Sequence, residues 1–259
     1  GKQIARILEA AGVHCFDAMP GWHETIVPMI QPSVPQGHWL CIAEELKKVV
    51  NVPVATGTQI SDLALAEQAL VDGKADLICM ARPLIADPEL PNKAKEGRTD
   101  DIRPCIHCCH CFDLVGTPLA CTVNARAGRE GDYVIQPAAQ SKKVFVIGGG
   151  PGGMEAAITA AKRGHKVTLW ENEKELGGQM LIAALPPHKG DIDKLTRYLR
   201  NQIRKAGVNT KIGQKAHLNS ISAGNPDQVI VAAGAIPIIP DISGVKGRNV
   251  VIASEVLTE

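Results

Sequence analysis

The chain has 259 residues, enough for about two ordinary domains, with 45% hydrophobic and 21% charged residues, a soluble globular balance. Its formal net charge of +1 gives no electrostatic case for nucleic acid or an anionic membrane surface. No apolar run approaches the roughly 20 residues that a spanning helix needs, and no basic-then-apolar start resembles a secretion signal.

An amphipathic helix is predicted from residue 2 to 11, with Ile4, Ile7 and Leu8 on one face. It begins at once after Gly1, which suggests a piece of something longer. A strand at Val13-His14-Cys15-Phe16 follows, then a polar loop rich in proline (Pro20, Pro28, Pro32, Pro35). Next come a helix near 38–50, the strand Val52-Pro53-Val54-Ala55, a helix over 61–71 capped by Ser61 and stopped at Gly73, and the strand Asp76-Leu77-Ile78-Cys79-Met80. Strand–helix–strand repetition at about 25–30 residues per unit means parallel strands, in an open sheet or in part of an eight-stranded barrel. Residues 99–140 break this rhythm with a cysteine-rich loop and a polar tail, Ala127-Gly128-Arg129-Glu130-Gly131-Asp132, that reads as a connector. A new domain opens near Lys142. Val144-Phe145-Val146-Ile147 is a buried strand, Gly148 to Gly153 a glycine turn leading into a helix that runs to Arg163, and Lys166 to Trp170 a second strand ending in Glu171. A helix near 190–206, a strand at 208–212 and a strand from Val229 to Gly234 complete the pattern.

Eight cysteines are present, and Cys105, Cys108 and Cys111 fall within seven residues, with Cys121 ten positions later. Three cysteines spaced by two residues let one loop wrap three corners of an iron–sulfur cube, and a later cysteine closes the fourth. Zinc sites usually come as two separated pairs, so the run favours a 4Fe-4S cluster; structural zinc and a metal-free thiol loop are the alternatives. Cys109 breaks the spacing and reads as a spare thiol that could compete with Cys108 or Cys111. His107 and His110 read as neighbours of the ligands or as solvated side chains. This usage indicates a reduced, cytoplasmic compartment, with Cys15, Cys41 and Cys79 as buried free thiols.

Gly148, Gly150 and Gly153 match Gly-x-Gly-x-x-Gly between a strand and a helix. The pattern permits a tight turn, close approach of a pyrophosphate and close helix–strand packing, with Pro151 and Gly152 in the helix start. Glu171, 23 residues after Gly148, stands where a carboxylate accepts ribose hydroxyls, and an acid there argues against a 2′-phosphate. A glycine turn needed only for packing is the alternative. In the first segment, Gly21-Trp22-His23-Glu24 lies in a loop after a parallel strand, where α/β active sites gather. His23 could exchange a proton near neutral pH there, or be a solvated loop histidine. Arg82 follows a parallel strand and could hold a phosphate through its planar fork, or form an ordinary surface ion pair.

Five stretches together resemble the iron–sulfur flavoenzymes of the 2,4-dienoyl-CoA reductase, 2-enoate reductase and trimethylamine dehydrogenase family. They are Gly21-Trp22-His23-Glu24; Met80-Ala81-Arg82-Pro83 with Ala86-Asp87-Pro88; Gly97-Arg98 through Cys105-Ile106; Cys121-Thr122-Val123-Asn124; and Gly148 to Gly153 with Leu176-Gly177-Gly178-Gln179. The resemblance implies an α/β chain in three parts. Residues 1–98 would be the C-terminal strands and helices of an FMN-binding (β/α)8 TIM barrel, 99–140 the 4Fe-4S loop and connector, and 141–259 the first part of a Rossmann-like FAD-binding domain. FMN would be held by Gly57, Thr58, Gln59, Ala81 and Arg82, and the cluster by Cys105, Cys108, Cys111 and Cys121. FAD would meet Gly148, Gly150, Pro151, Gly152, Gly153, Glu171, Gln179, Lys189 and Ala216. His23 matches the reductase histidine that works beside a tyrosine.

The implied activity is reduction of an activated C=C bond in an unsaturated acid or acyl-CoA. Electrons would pass from NAD(P)H to FAD, through the cluster to FMN, and on to the substrate. Amine oxidation of the trimethylamine dehydrogenase type and a non-catalytic electron-transfer module are the other readings. Self-association into a homo-oligomer is left open. Three departures stand out. Gln59 occupies the position of an FMN-phosphate arginine. The cysteine spacing follows the amine-dehydrogenase pattern while Gly-Trp-His-Glu follows the reductase pattern. The first five barrel strands, the nicotinamide lobe and a barrel tyrosine are not in this sequence, since Tyr133 and Tyr198 lie outside the barrel segment. The segment alone is therefore expected to be inactive.

Overall fold

The computed structural model describes residues 1–22, 24–114 and 116–258. The chain divides into two units, Gly1–Glu130 and Gly131–Glu259.

The first unit is built on three short parallel strands, β1 (Phe16–Asp17), β2 (Val54–Thr56) and β3 (Leu77–Ile78), in the order β1-β2-β3. Phe16 is in register with Val54, and Ala55 with Leu77. Between them run α1 (Lys2–Ala10) before β1, α2 (Leu40–Lys47) before β2 and α3 (Leu63–Val71) before β3. Small residues let these helices lie close on the strands: Ala5, Ala18, Ala43, Val50, Val54 and Ala75 form one core, and Leu40, Ile60, Ala66 and Ala69 a second. After β3 come α4 (Arg82–Ala86), α5 (Leu90–Lys95), a 3₁₀ turn at Thr99–Asp101 and α6 (His110–Asp113).

Two expectations are corrected here. Ser61 does not cap α3. Its hydroxyl and N–H both go to Gln36 Oε1 at 3.0 Å, and Asp62 caps instead, accepting from Ala64 N (2.9 Å) and Leu65 N (3.2 Å). Cys15, Cys41 and Cys79 are exposed, not buried. The strands are shorter than their apolar runs, so Cys15 and Cys79 flank them. In α2 the inward positions belong to Leu40 and Ala43, which turns Cys41 outward.

The second unit holds a four-stranded parallel sheet, β4 (Lys143–Ile147), β5 (Lys166–Glu171), β6 (Asn209–Ile212) and β7 (Gln228–Val231), in the order β6-β5-β4-β7. Its helices are α7 (Pro151–Lys162), α8 (Gln179–Ala183), α9 (Gly190–Lys205), α10 (Leu218–Gly224) and α11 (Ala253–Thr258). Val146, Leu169 and Met154 are completely buried where α7 meets the sheet. The mixed α/β class with parallel sheets is as read from the sequence. The strand expected to run to Gly234 ends at Val231, and α8 and α10 were not anticipated. Among the described residues no helix is long and apolar enough to cross a membrane.

Candidate functional site

In the first unit the carboxyl ends of β1, β2 and β3 open onto a cavity of about 300 Å³. Gly57, Thr58, Gln59, Ala81 and Arg82 all line it, together with Asp17, Met19, Met29, Ile30 and Cys79. Gly57 is there because the ends of β2 and β3 nearly touch: a Cβ on it would lie 2.0 Å from the Cys79 carbonyl oxygen. Gln59 is 3% exposed and adopts a left-handed backbone (φ 56). Both ends of its amide are occupied. Nε2 donates to Gln31 O at 2.7 Å and Val34 O at 3.3 Å, and Oε1 accepts from Arg82 Nη2. Arg82, the first residue of α4, also donates through Nη1 to Ile30 O at 3.0 Å and to Cys109 Sγ at 3.7 Å. His23 lies outside the described residues.

Behind Arg82 the cysteine loop closes on a second, smaller space of about 10 Å³. Cys105, Cys108, Cys111 and Cys121 line it together, with Cys109, Arg82 and Thr122. Cys108 Sγ lies 3.3 Å from Thr122 Oγ1. Cys109 has a partner of its own, donating from Sγ to Ile30 O at 3.4 Å. Burial pushes the Cys105 thiol up to about 11 and raises those of Cys109 and Cys111 despite the opposing charge of Arg82.

The loop is fastened at both ends. The buried Asp87 carboxylate accepts from Arg103 N (2.8 Å) and pairs with Lys93 Nζ (2.6 Å), and the Arg103 guanidinium bonds Val123 O. Asn124 Nδ2 donates to Ile85 O at 2.9 Å. Sequence reasoning missed these fasteners, although Asp87 and Asn124 fall within the quoted stretches. His107, read from the sequence as a neighbour of the cysteines or a solvated side chain, is 2% exposed, lines the larger cavity and sends its N–H toward Cys105 Sγ at 3.4 Å. Its left-handed backbone (φ 51) gave no sequence signal. His110 is exposed.

The donor set, four thiols lining one space, is of the soft kind that zinc and iron–sulfur clusters both take. A tetrahedral zinc site draws its sulfurs to about 3.8 Å of one another, from Zn–S bonds of about 2.3 Å. Among the described residues no group of three or more His, Cys, Asp or Glu side chains is placed closely enough to hold a metal ion as it stands. The four cysteines nevertheless face one buried space, and soft thiols of this kind lose their protons when a cation arrives.

In the second unit the glycine turn follows β4. Gly150 caps α7 and Pro151 takes the first helical position, leaving the helix-start N–H groups free of side-chain caps. Gly153 is buried, and a Cβ on it would lie 1.8 Å from Gly148 O, so no other residue lets α7 begin this close to β4. Glu171, 8% exposed at the end of β5, accepts from Gly149 N at 2.6 Å and from Glu173 N at 2.8 Å. Gly177 N donates to Gly149 O at 2.9 Å, which brings the Leu176–Gln179 stretch against the turn. Gln179 Nε2 donates to Ala235 O at 2.8 Å. Lys189, exposed at the start of α9, and Ala216, between β6 and α10, make no hydrogen bond to the turn.

Residues 5–101 match the NADH:flavin oxidoreductase / NADH oxidase family, and residues 142–257 match the pyridine nucleotide-disulphide oxidoreductases. The chain is 46% identical over 255 residues to an NADH oxidase of Thermoanaerobacter brockii, covering 96% of this chain and 39% of that protein. It is 38% identical to a cinnamate reductase of Clostridium sporogenes, covering 100% of this chain and 39% of the relative. A solved complex of 2-naphthoyl-CoA reductase with 2-naphthoyl-CoA superposes with a TM-score of 0.94 at 36% identity, over 99% of this chain and 40% of that one. The chain thus spans about two-fifths of the length of the relatives it matches. It belongs to the flavin oxidoreductases that join an NADH:flavin oxidoreductase barrel to a pyridine nucleotide-disulphide oxidoreductase module, the group resembling 2,4-dienoyl-CoA reductase.

Proposed function

We propose that the full-length protein is an NAD(P)H-dependent reductase of activated C=C bonds, acting on an unsaturated acid or acyl-CoA. Electrons would pass from NAD(P)H to FAD, through a 4Fe-4S cluster to FMN, and then to the substrate. The observation that carries this reading is the shared wall at Arg82: four cysteines face one side of it, and the cavity at the strand ends opens on the other. The names of a cinnamate reductase and a naphthoyl-CoA reductase among similar proteins support the substrate class.

When bound, the flavins supply two-electron chemistry and the cluster single-electron passage between them. The residues of this chain hold and shape. Gly57 and Ala81 offer backbone at the cavity mouth, and Arg82 offers a cation to a phosphate. Met29 and Ile30, both half-buried, give one side of the cavity an apolar wall. The N–H groups at the start of α7 receive a pyrophosphate, and the lone pairs of Glu171 not used by Gly149 and Glu173 accept ribose hydroxyls. We assign His23 the stabilisation or protonation of the enolate-like species at the substrate carbonyl.

The test is iron and acid-labile sulfide analysis of the anaerobically purified full-length protein, followed by NADH-dependent reduction of cinnamate. Four irons per chain, visible absorbance lost with dithionite, and consumption of the unsaturated acid are expected. A colourless, zinc-containing protein sinks the reading. The Cys111 spacing favours a second reading, amine oxidation. Flavin reduction by a methylated amine, with no reduction by NADH, would select it.

A further inference from the structure

Arg82 stands apart from the other basic side chains near the cavities. It is half-buried, it lines both the larger cavity and the cysteine pocket, and its guanidinium bonds only uncharged atoms: the Ile30 carbonyl, the Gln59 amide oxygen and the Cys109 sulfur. Among the described residues no carboxylate pairs with it. A cation removed from bulk water and left without an anion on its own protein is costly unless a ligand supplies the negative charge.

Gln59 decides where that charge points. Its left-handed backbone and its bonds to Gln31 O and Val34 O fix the amide, so Oε1 offers one acceptor in one place. The planar fork of arginine then has two of its directions set, by Gln59 and by Ile30, and the Nη1 edge faces Cys109. An arginine at position 59 would instead have repelled Arg82.

We propose that Arg82 is the electrostatic tuning residue of the cysteine-held cluster and that Gln59 is the positioning residue that aims it. The inference rests on the cluster reading given above. One-electron reduction adds a negative charge to an iron–sulfur cluster, and a fixed cation beside it stabilises the reduced form. Arg82 therefore raises the cluster's reduction potential and makes it a better acceptor.

An EPR-monitored redox titration of the full-length protein tests this, comparing wild type with Arg82→Lys, Arg82→Met and Gln59→Met. Arg82→Met is expected to shift the cluster midpoint to lower potential, Arg82→Lys to leave most of it in place, and Gln59→Met to give a smaller shift in the same direction. Unchanged midpoints in Arg82→Met with full iron content overturn the proposal. Where Arg82→Met assembles no cluster, Gln59→Met decides, and a wild-type midpoint there overturns it equally. Wild-type protein without iron and sulfide overturns the cluster reading along with this one, whereas iron present with an unmoved midpoint overturns this one alone.

Discussion

Glu171 and Gly149 are joined by a 2.6 Å hydrogen bond from the glycine N–H to the carboxylate, tying the end of β5 to the turn after β4. The same side chain holds Glu173 N at 2.8 Å. One carboxylate thus shapes the turn before any ligand arrives. Glu171→Ala leaves two N–H groups without acceptors, at an expected cost of about 1–3 kcal/mol in urea unfolding. Glu171→Gln keeps an acceptor for Gly149 and should lose less than half as much. Both variants should retain less FAD after gel filtration, and equal FAD content in wild type and Glu171→Ala would refute the ribose role.

The five clustered thiols are not equivalent. Cys105, Cys108, Cys111 and Cys121 to serine, one at a time, should each remove most of the iron and sulfide. Cys109→Ser should keep wild-type iron content, because its sulfur is committed to Ile30 O. Iron analysis of the five variants, purified anaerobically, settles the ligand set. Loss of iron in Cys109→Ser with retention in Cys111→Ser would reverse the assignment.

Asp87 governs the cysteine loop from outside it. Its carboxylate is 4% exposed and meets Lys93, at 17%, as well as Arg103 N. Asp87→Ala strands a largely buried ammonium and frees one end of the loop, with an expected loss of about 3 kcal/mol. Iron content should fall although no ligand is touched. Wild-type iron and an unchanged unfolding midpoint would show that the loop is held elsewhere.

Asp76 supplies a pH dependence with a definite sign. Its hydrogen bond to Lys47, and then that to Val54 N, hold its carboxyl below the ordinary aspartate value of 3.8. The folded state therefore prefers the ionised form. The contribution is present above about pH 4 and disappears as the pH falls through the lowered folded value. Because Asp76 is partly exposed, the effect is modest. Urea midpoints of wild type and Asp76→Asn should differ at pH 7 and draw together as the pH falls well below 3.8, and a constant difference across that range would contradict it.

Parallel strands, the glycine turn and the cysteine convergence were legible because each leaves a local mark: a period, a spacing or a residue type that only one backbone accepts. The cysteines share one pocket because a short loop cannot carry them far apart. The partners of Gln59 were not legible. Its bonds reach Gln31, Val34 and Arg82, and only the fold brings residues 23–28 positions distant to the same amide. The exposed thiols of Cys15 and Cys79 were misread as buried for a related reason. An apolar run tells which residues favour a strand, whereas pairing with neighbours decides how many of them enter it, and here only two or three did.

Gln59, His107 and Cys109 share a backbone state that side-chain-bearing residues avoid, with φ of 56, 51 and 61, and they ring the partition between the two cavities. Each such residue costs of order 1 kcal/mol or more, so about 3 kcal/mol of conformational tension is concentrated there. Contacts that exist only in the finished fold restrain it: the anchored amide of Gln59, the buried imidazole of His107, and Cys109 against Ile30. The partition is thus expected to slacken early when its surroundings loosen. Amide exchange in protein stripped of cofactors should register that order, with residues 105–111 losing protection ahead of β2 and α3.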